Sequence, residues 1–152
     1  MIRTLCLLTA IAFLLLAASC KSKVAFSGSS MLPSIKDGSV LLIDKDIREI
    51  QRRDVIQFKF PLEKDKYYVK RVIALPGETI EIREGAVWVN GTRIVEDYVD
   101  QTYNQVKSNY PPQVIEENEY FVMGDNRDNS SDSRSWGTVN KKLIVGRCIP
   151  SN

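Results

Sequence analysis

Four stretches of this chain carry more chemistry than a core requires. Phe26-Ser27-Gly28-Ser29-Ser30-Met31-Leu32-Pro33-Ser34 is a turn of small residues, and Ser27, Ser29 and Ser30 each offer a hydroxyl that could serve as a nucleophile. Tyr67-Tyr68-Val69-Lys70-Arg71-Val72-Ile73-Ala74-Leu75-Pro76-Gly77 sets a lysine inside an otherwise apolar strand pattern. Alternation with period two puts Tyr68, Lys70, Val72 and Ala74 on one face and Arg71 on the other. A lysine on such a face is desolvated, which disfavours the ammonium and lowers its pKa. Neutral lysine is a competent base for activating a hydroxyl. Taken alone, the segment is better explained by an edge-strand lysine that snorkels to solvent or guards against aggregation.

The third stretch, Gly124 to Gly137, packs Asp125, Arg127, Asp128, Asp132 and Arg134 into ten residues directly after an apolar strand. A solvated, turn-rich loop would have this composition too. The density of opposite charges points instead to an ion-pair network that fixes a backbone shape. The fourth, Arg52-Arg53-Asp54-Val55-Ile56-Gln57-Phe58, is a turn entering a strand and by itself is structural.

The residue types that are missing narrow the chemistry. No histidine occurs in the 152 residues, which excludes every mechanism that uses imidazole as general base. Zinc sites with His ligands go with it, and Cys6, Cys20 and Cys148 have no metal-ligand spacing, so no metal and no cofactor is expected. Proton transfers would fall to Lys, Asp, Glu or Tyr. The net charge is +2, but Arg3, Lys21 and Lys23 are the only charges of the first 23 residues, so the rest carries −1. A near-neutral body without a basic cluster argues against nucleic acid as a partner.

The elements that position these groups divide at residue 23. Leu5 to Ala18 is uncharged and flanked by Arg3, Lys21 and Lys23, and Thr4 to Cys20 gives 17 residues, the short end for a spanning helix. A buried core helix fits this flanked terminal position poorly. Segment 1–23 reads either as a signal-anchor with the body outside, or as a lipoprotein signal, since Ala17-Ala18-Ser19-Cys20 resembles a lipobox with Ala where Leu is usual. Either way, domain 24–152 is tethered at the outer, non-cytoplasmic face of a membrane, and the lipid bilayer is a partner. Cys148 then has no partner within the body and is expected to be a buried small hydrophobe.

That domain shows no apolar 3.6-residue period. Strand-like runs recur at Ser39–Ile43, Asp54–Phe60, Tyr67–Leu75, Thr79–Arg83, Ala86–Val89, Thr92–Val95, Tyr120–Met123 and Leu143–Cys148. Asn90-Gly91 between two of them predicts a type I′ hairpin. Residues 97–118, polar and containing Pro111-Pro112, read as a long loop or small lid. The expected architecture is an all-β, partly barrel-like coiled sheet without a second domain.

Together and in this order, the four stretches resemble the type I signal peptidases, the Ser–Lys peptidase family. Ser30-Met31-Leu32-Pro33-Ser34 is similar to the family's nucleophile box, Arg53-Asp54-Val55 to its Arg-Gly-Asp-Ile/Val box without the Gly, and Lys70 to Gly77 to its Lys-Arg-Val-x-Gly-Leu-Pro-Gly box. Gly124 to Gly137 matches Gly-Asp-Asn-Arg-x-x-Ser-x-Asp-Ser-Arg-x-Trp-Gly at every specified position. The resemblance implies Ser30 as nucleophile, Lys70 as general base and Ser130 as the hydroxyl that hydrogen-bonds and orients the lysine. It implies supporting ion pairs between Asp132 and Arg134 and between Arg71 and Asp125. The Ser30 N–H would be one oxyanion donor; with Gly at position 28 the second is unassigned. Phe26 and Met31, flanking the nucleophile, are expected pocket walls. The implied substrate is an exported preprotein cut after a small residue, with small residues at −1 and −3, and the implied setting a bacterial cytoplasmic membrane. The large extra β-domain of the longer members is not expected. Ten residues from Cys20 to Ser30 reach at most about 33 Å, which keeps the site near the bilayer surface. A self-cleaving Ser–Lys protein and a peptide-binding β-domain without catalysis are the competing readings; the first lacks a DNA-binding domain, the second leaves Ser30, Lys70 and Ser130 without a purpose.

Overall fold

A computed structural model describes residues 21–149. The hydrophobic stretch and the lipobox-like Cys20 lie outside the described residues. Eleven strands, one short α-helix and two 3-10 turns (Gln101–Tyr103 and Lys141–Leu143) make up the described body: β1 (Lys21–Ala25), β2 (Val40–Asp44), β3 (Val55–Phe60), β4 (Glu63–Ala74), β5 (Thr79–Arg83), β6 (Ala86–Val89), β7 (Thr92–Arg93), β8 (Tyr110–Val114), β9 (Glu119–Met123), α1 (Ser133–Trp136), β10 (Val139–Asn140) and β11 (Ile144–Ile149). They form a seven-stranded sheet of order β1-β2-β11-β3-β4-β9-β10 and a four-stranded sheet of order β7-β6-β5-β8. The all-β expectation holds. The barrel-like one does not: β1 and β10 are the free ends of the large sheet, and no pairing among the described residues closes it.

Three strands lie outside the runs expected from the sequence: the two-residue β10, too short to show a pattern, and β1 and β8. Strand β1 is short, with three charged or polar residues, yet it pairs along its whole length with β2, so Lys21 to Lys23 belong to the folded sheet. Strand β8 contains Pro111-Pro112 and falls where a loop was expected. It is tolerated because it lies at a sheet edge, where a missing N–H leaves no ladder bond broken, and its register on β5 shifts between Ile80 and Ile82. The Asn90-Gly91 hairpin is as expected, with φ of 50° and 75°.

The long β3–β4 hairpin positions the site. Its register pairs Ile56 with Lys70 and Gln57 with Val69, so Lys70 shares a face with Ile56 while Gln57 and Val69 face the other way. A register shift between Val72 and Ala74 lets Ile73 and Ala74 both enter the core between the sheets, with Phe121 and Met123 of β9. A second core packs Ile56, Phe58 and Val72 against β9 and β11. A third, of Phe26, Met31, Leu41, Ile43 and Val69, underlies the hydroxyl-bearing turn, with the half-buried Cys148 against it. Burial pushes the Cys148 thiol up to about 12, so it is held protonated as a small hydrophobe.

At the entry to β3, Arg53 has φ of 78°, in the left-handed region that favours glycine. The correspondence with the Arg-Gly-Asp box therefore moves by one residue. Arg52 takes the arginine's place, binding the Ile73 carbonyl at 2.6 Å and pairing with Glu78, and Arg53 stands where glycine is usual. The exposed Arg53 side chain pairs with Asp97. Arg53→Gly and Arg53→Ala lose that pair equally, so their difference isolates the backbone. The glycine variant is expected to be more stable than the alanine variant by about 1 kcal/mol in urea unfolding; equal stability would contradict the strain.

Candidate active site

The hydroxyl-bearing turn follows β1 directly. Phe26 N–H donates to the Ser39 carbonyl and Gly38 N–H to the Phe26 carbonyl, closing the base of the turn. Gly28, at φ of 117°, gives its N–H to Asp37 at 2.7 Å. Ser30 emerges beside β4, where Lys70 Nζ lies 2.8 Å from its Oγ and 3.1 Å from the Val69 carbonyl. Of the three candidate hydroxyls, the geometry brings Ser30 to the lysine.

Lys70 is 4% exposed, and the Tyr68 ring lies 5.3 Å from Nζ. Phe60 stacks on Tyr68 and Trp136 stands edge-on to Phe60, so an aromatic group covers this end of the hairpin. Burial is the main cause of a pKa lowered from 10.5 to about 8; the nearby carboxylates Asp132 and Asp125 pull the other way. An amine so placed is substantially neutral at mildly alkaline pH and lies within reach of a serine proton.

The polar segment after β9 holds both partners in place. Asp132, fully buried, accepts from Gly124 N–H at 3.1 Å, caps α1 through Arg134 N–H and pairs with the Arg134 guanidinium through both oxygens at 2.8 Å. Arg71 pairs with the fully buried Asp125 at 2.8 and 2.6 Å, and gives a further bond to the Arg53 carbonyl. Both ion pairs expected from the resemblance are thus present. Ser130 differs from expectation: its buried Oγ has no hydrogen-bond partner among the described residues and does not bond Lys70. It packs against Gly124 instead. Phe26 lines the cleft beside Ser30, but Met31 is fully buried in the core beneath the turn and is not a pocket wall. The residue after Ser30 points inward because the chain turns there, with Ile35 N–H donating to the Met31 carbonyl.

Several residues of the site were not singled out in the sequence. Asn126 bonds Ser30 O through its N–H and Ser29 O through Nδ2, both at 3.1 Å, and Asn129 Nδ2 bonds Ser29 Oγ at 3.0 Å. These straps tie the hydroxyl-bearing turn to the polar segment across about a hundred residues of sequence, and only their membership of the third stretch hinted at them. Glu96 pairs through both oxygens with the buried Arg127, which also donates to the Gly124 carbonyl. Tyr98 donates to Glu96 and lies under Arg71, whose guanidinium is 4.2 Å from the ring centroid. Nothing in the local pattern around Glu96 or Tyr98 marks them, since their partners are remote.

The cleft in front of Ser30 holds about 420 Å³ and runs between Val24–Ser30 on one side and Gln57 with Tyr67–Lys70 on the other. No grouping of acidic and cysteine side chains among the described residues could hold a metal ion.

Comparison with known proteins follows the same lines. The chain is 35% identical over 130 residues to "Signal peptidase I" of Bacillus licheniformis, covering 78% of this chain and 69% of that one. It is 34% identical to "Signal peptidase I T" of Bacillus subtilis strain 168, covering 78% and 67%. The crystal structure of a signal peptidase I from Enterococcus faecalis V583 superposes with a TM-score of 0.59 at 32% identity, over 66% of this chain and 97% of that one. The family profile described as "Signal peptidase, peptidase S26" matches residues 1–150, and the chain belongs to that family.

Proposed function

We propose that Ser30 is the nucleophile and Lys70 the general base of this enzyme, a serine endopeptidase that removes signal peptides from exported preproteins. The observation that carries the assignment is the 2.8 Å approach of a desolvated lysine to a serine at the mouth of an open cleft. Neutral Lys70 accepts the Ser30 proton as Oγ attacks the scissile carbonyl, and the ammonium so formed protonates the leaving amine. The same amine then takes a proton from the water that hydrolyses the acyl-enzyme. Ser30 N–H, not engaged in a backbone bond among the described residues, is one donor to the oxyanion. The N–H at position 28 is occupied by Asp37 and is not a second one. Ser130, Asp132, Arg134, Arg71 and Asp125 are positioning residues that act through the backbone around Gly124.

Substrate geometry supports the reading. Strand β9 pairs with β4 only from Arg71 to Ala74, so Tyr67 to Lys70 meet a strand on the β3 side alone among the described residues. An extended peptide can add along that free edge, presenting its carbonyl to Ser30. Small side chains at −1 and −3 suit a cleft whose walls are Ala25, Phe26 and Val69. The residues before β1 serve as the membrane tether, with the catalytic body, whose sheet includes Lys21 to Lys23, at the outer face; no helix among the described residues is long and apolar enough to cross a membrane. Mass spectrometry of the mature N-terminus separates an intact anchor from an acylated Cys20.

The test of function is incubation of the full chain, in detergent, with a preprotein. The expected result is two fragments whose junction follows a small residue. A precursor left intact across pH 7 to 10 would favour the reading of a peptide-binding domain.

A further inference from the structure

Gln57 sits on β3 between Ile56 and Phe58 and is 6% exposed, as buried as the core beside it. It faces away from Lys70, with Val69 opposite it in the ladder. Its carboxamide makes no hydrogen bond to another described residue and is not sealed in the interior; it ends in the cleft, beside Val24, Ala25, Phe26 and Val69. The carboxamide is reached by solvent, so water in the cleft can bond it in the free protein, and a bound peptide displaces that water. Val24, Ala25 and Val69 are apolar, and none of the polar side chains that also line the cleft, such as Ser27, Ser29 and Asn129, bonds the amide. The group that can then satisfy it enters with the peptide.

An acyl chain held extended with its scissile carbonyl at Ser30 directs side chains −1 and −3 to the same face, about 7 Å apart. The −1 side chain then occupies the end of the cleft near Ser30 and Lys70. Two residues further from Ser30, the −3 side chain is directed into the same cleft, whose lining includes Val24, Phe26, Val69 and Gln57. We infer that the Gln57 carboxamide is a specificity determinant, hydrogen-bonding a hydroxyl on the −3 side chain of the substrate. A hydroxyl there pairs the amide; a hydrocarbon of the same size leaves it buried and unpaired, which is how a polar site rejects an apolar isostere. The inference rests on the peptidase reading of this cleft and adds to it which small residues are preferred.

Threonine and valine are nearly isosteric and differ in the hydroxyl. Two preproteins identical except for Thr or Val at −3 are to be cleaved by the full chain, by Gln57→Val and by Gln57→Met, with kcat/KM measured for each and folding checked by thermal melting. The parent chain is expected to favour Thr by about tenfold, the ratio for one satisfied buried hydrogen bond. Both variants are expected to lose the preference or reverse it. An unchanged Thr-to-Val ratio in the variants, or a parent that favours Val, would overturn the assignment. Cleavage of neither substrate by the parent would overturn the peptidase reading itself, and this inference with it. Loss of cleavage that is equal for both substrates in the variants would show Gln57 to be structural only.

Discussion

Lys70→Met is expected to lower preprotein cleavage by roughly a thousandfold or more while leaving the body folded. The magnitude is that of removing a general base from a nucleophile that is weak without one. Ser30→Ala should lose as much, and the double variant no more than either, because the two act as one unit. In the parent chain, activity requires the neutral amine, so kcat/KM should rise with pH and level off above about 8, where the Lys70 ammonium has lost its proton. A profile flat from pH 5 to 10, or a folded Lys70→Met that still processes, would remove lysine from the mechanism. The same substitution has a second, opposite readout in stability. Lys70 is protonated near 10.5 in the unfolded chain but only below about 8 in the folded one. Between those values the unfolded state binds the extra proton, so stability rises with pH across that window. Below about 8 the penalty is fully present, roughly 3 kcal/mol for a depression of this size. Methionine keeps the length and removes the charge, at the loss of two hydrogen bonds of about 1 kcal/mol each. A net gain of about 1 kcal/mol at pH 7 is therefore expected, shrinking as the pH passes from 8 toward 10.5. An inactive enzyme more stable than its parent is the outcome expected where the fold holds a group for chemistry against its own stability.

The strand face that buries Lys70 was legible because period-two alternation is a local property, and β5, β6 and the Asn90-Gly91 turn were legible for the same reason. Strand β8 was not, since its two prolines speak for a loop locally and only its edge position makes them harmless. The ion pairs of Asp132 with Arg134 lie two residues apart, but Arg71 with Asp125 joins positions that no sequence window spans; the resemblance, not periodicity, paired them. Two details escaped even that. Met31 follows a serine whose side chain faces the cleft, and adjacency suggested a pocket wall where the turn instead sends it into the core. Arg53 hides a glycine position because its φ is invisible in the residue name, and the surface ion pair with Asp97 gives the side chain a use once there.

The fold serves the dyad by making two distant segments share one rigid backbone corner. Strand β4 delivers Lys70 from one side, and the turn after β1 delivers Ser30 from the other. Neither is held by the other alone, since a single 2.8 Å contact cannot fix two chains. The corner that fixes them is Gly124, whose N–H is bound by Asp132 and whose carbonyl is bound by Arg127, itself clamped by Glu96. Burial of these charges is tolerated because each is paired and its remaining lone pairs or protons are bonded. Their effect on catalysis is exerted through where they hold the backbone.

Gly124→Ala tests that corner, and it should fall hardest on kcat. Gly124 does not have a positive φ, so alanine is conformationally acceptable there and the objection is purely steric. A methyl group would overlap Ser130 Oγ and Cβ on one side and the Ser30 carbonyl oxygen on the other. The backbone at 124 cannot retreat without breaking its bonds to Asp132 and Arg127. The yielding partner is then the turn, whose Ser30 carbonyl is held by Asn126 N–H at 3.1 Å. Moving that turn by about 1 Å takes Oγ out of line with Lys70, a displacement worth about a hundredfold in rate. Overpacking should also cost about 1–3 kcal/mol of stability. The expected signature is kcat reduced about a hundredfold with KM changed much less, because the −3 end of the cleft, formed by β1, β3 and β4, is not displaced. Adding Ser130→Gly removes one of the two collisions but not the one with the Ser30 carbonyl, so activity should stay low in the double variant. A folded Gly124→Ala enzyme with parental kcat would mean that Ser30 is positioned by its own turn, and that the ion pairs around Gly124 stabilise the body without aligning the dyad.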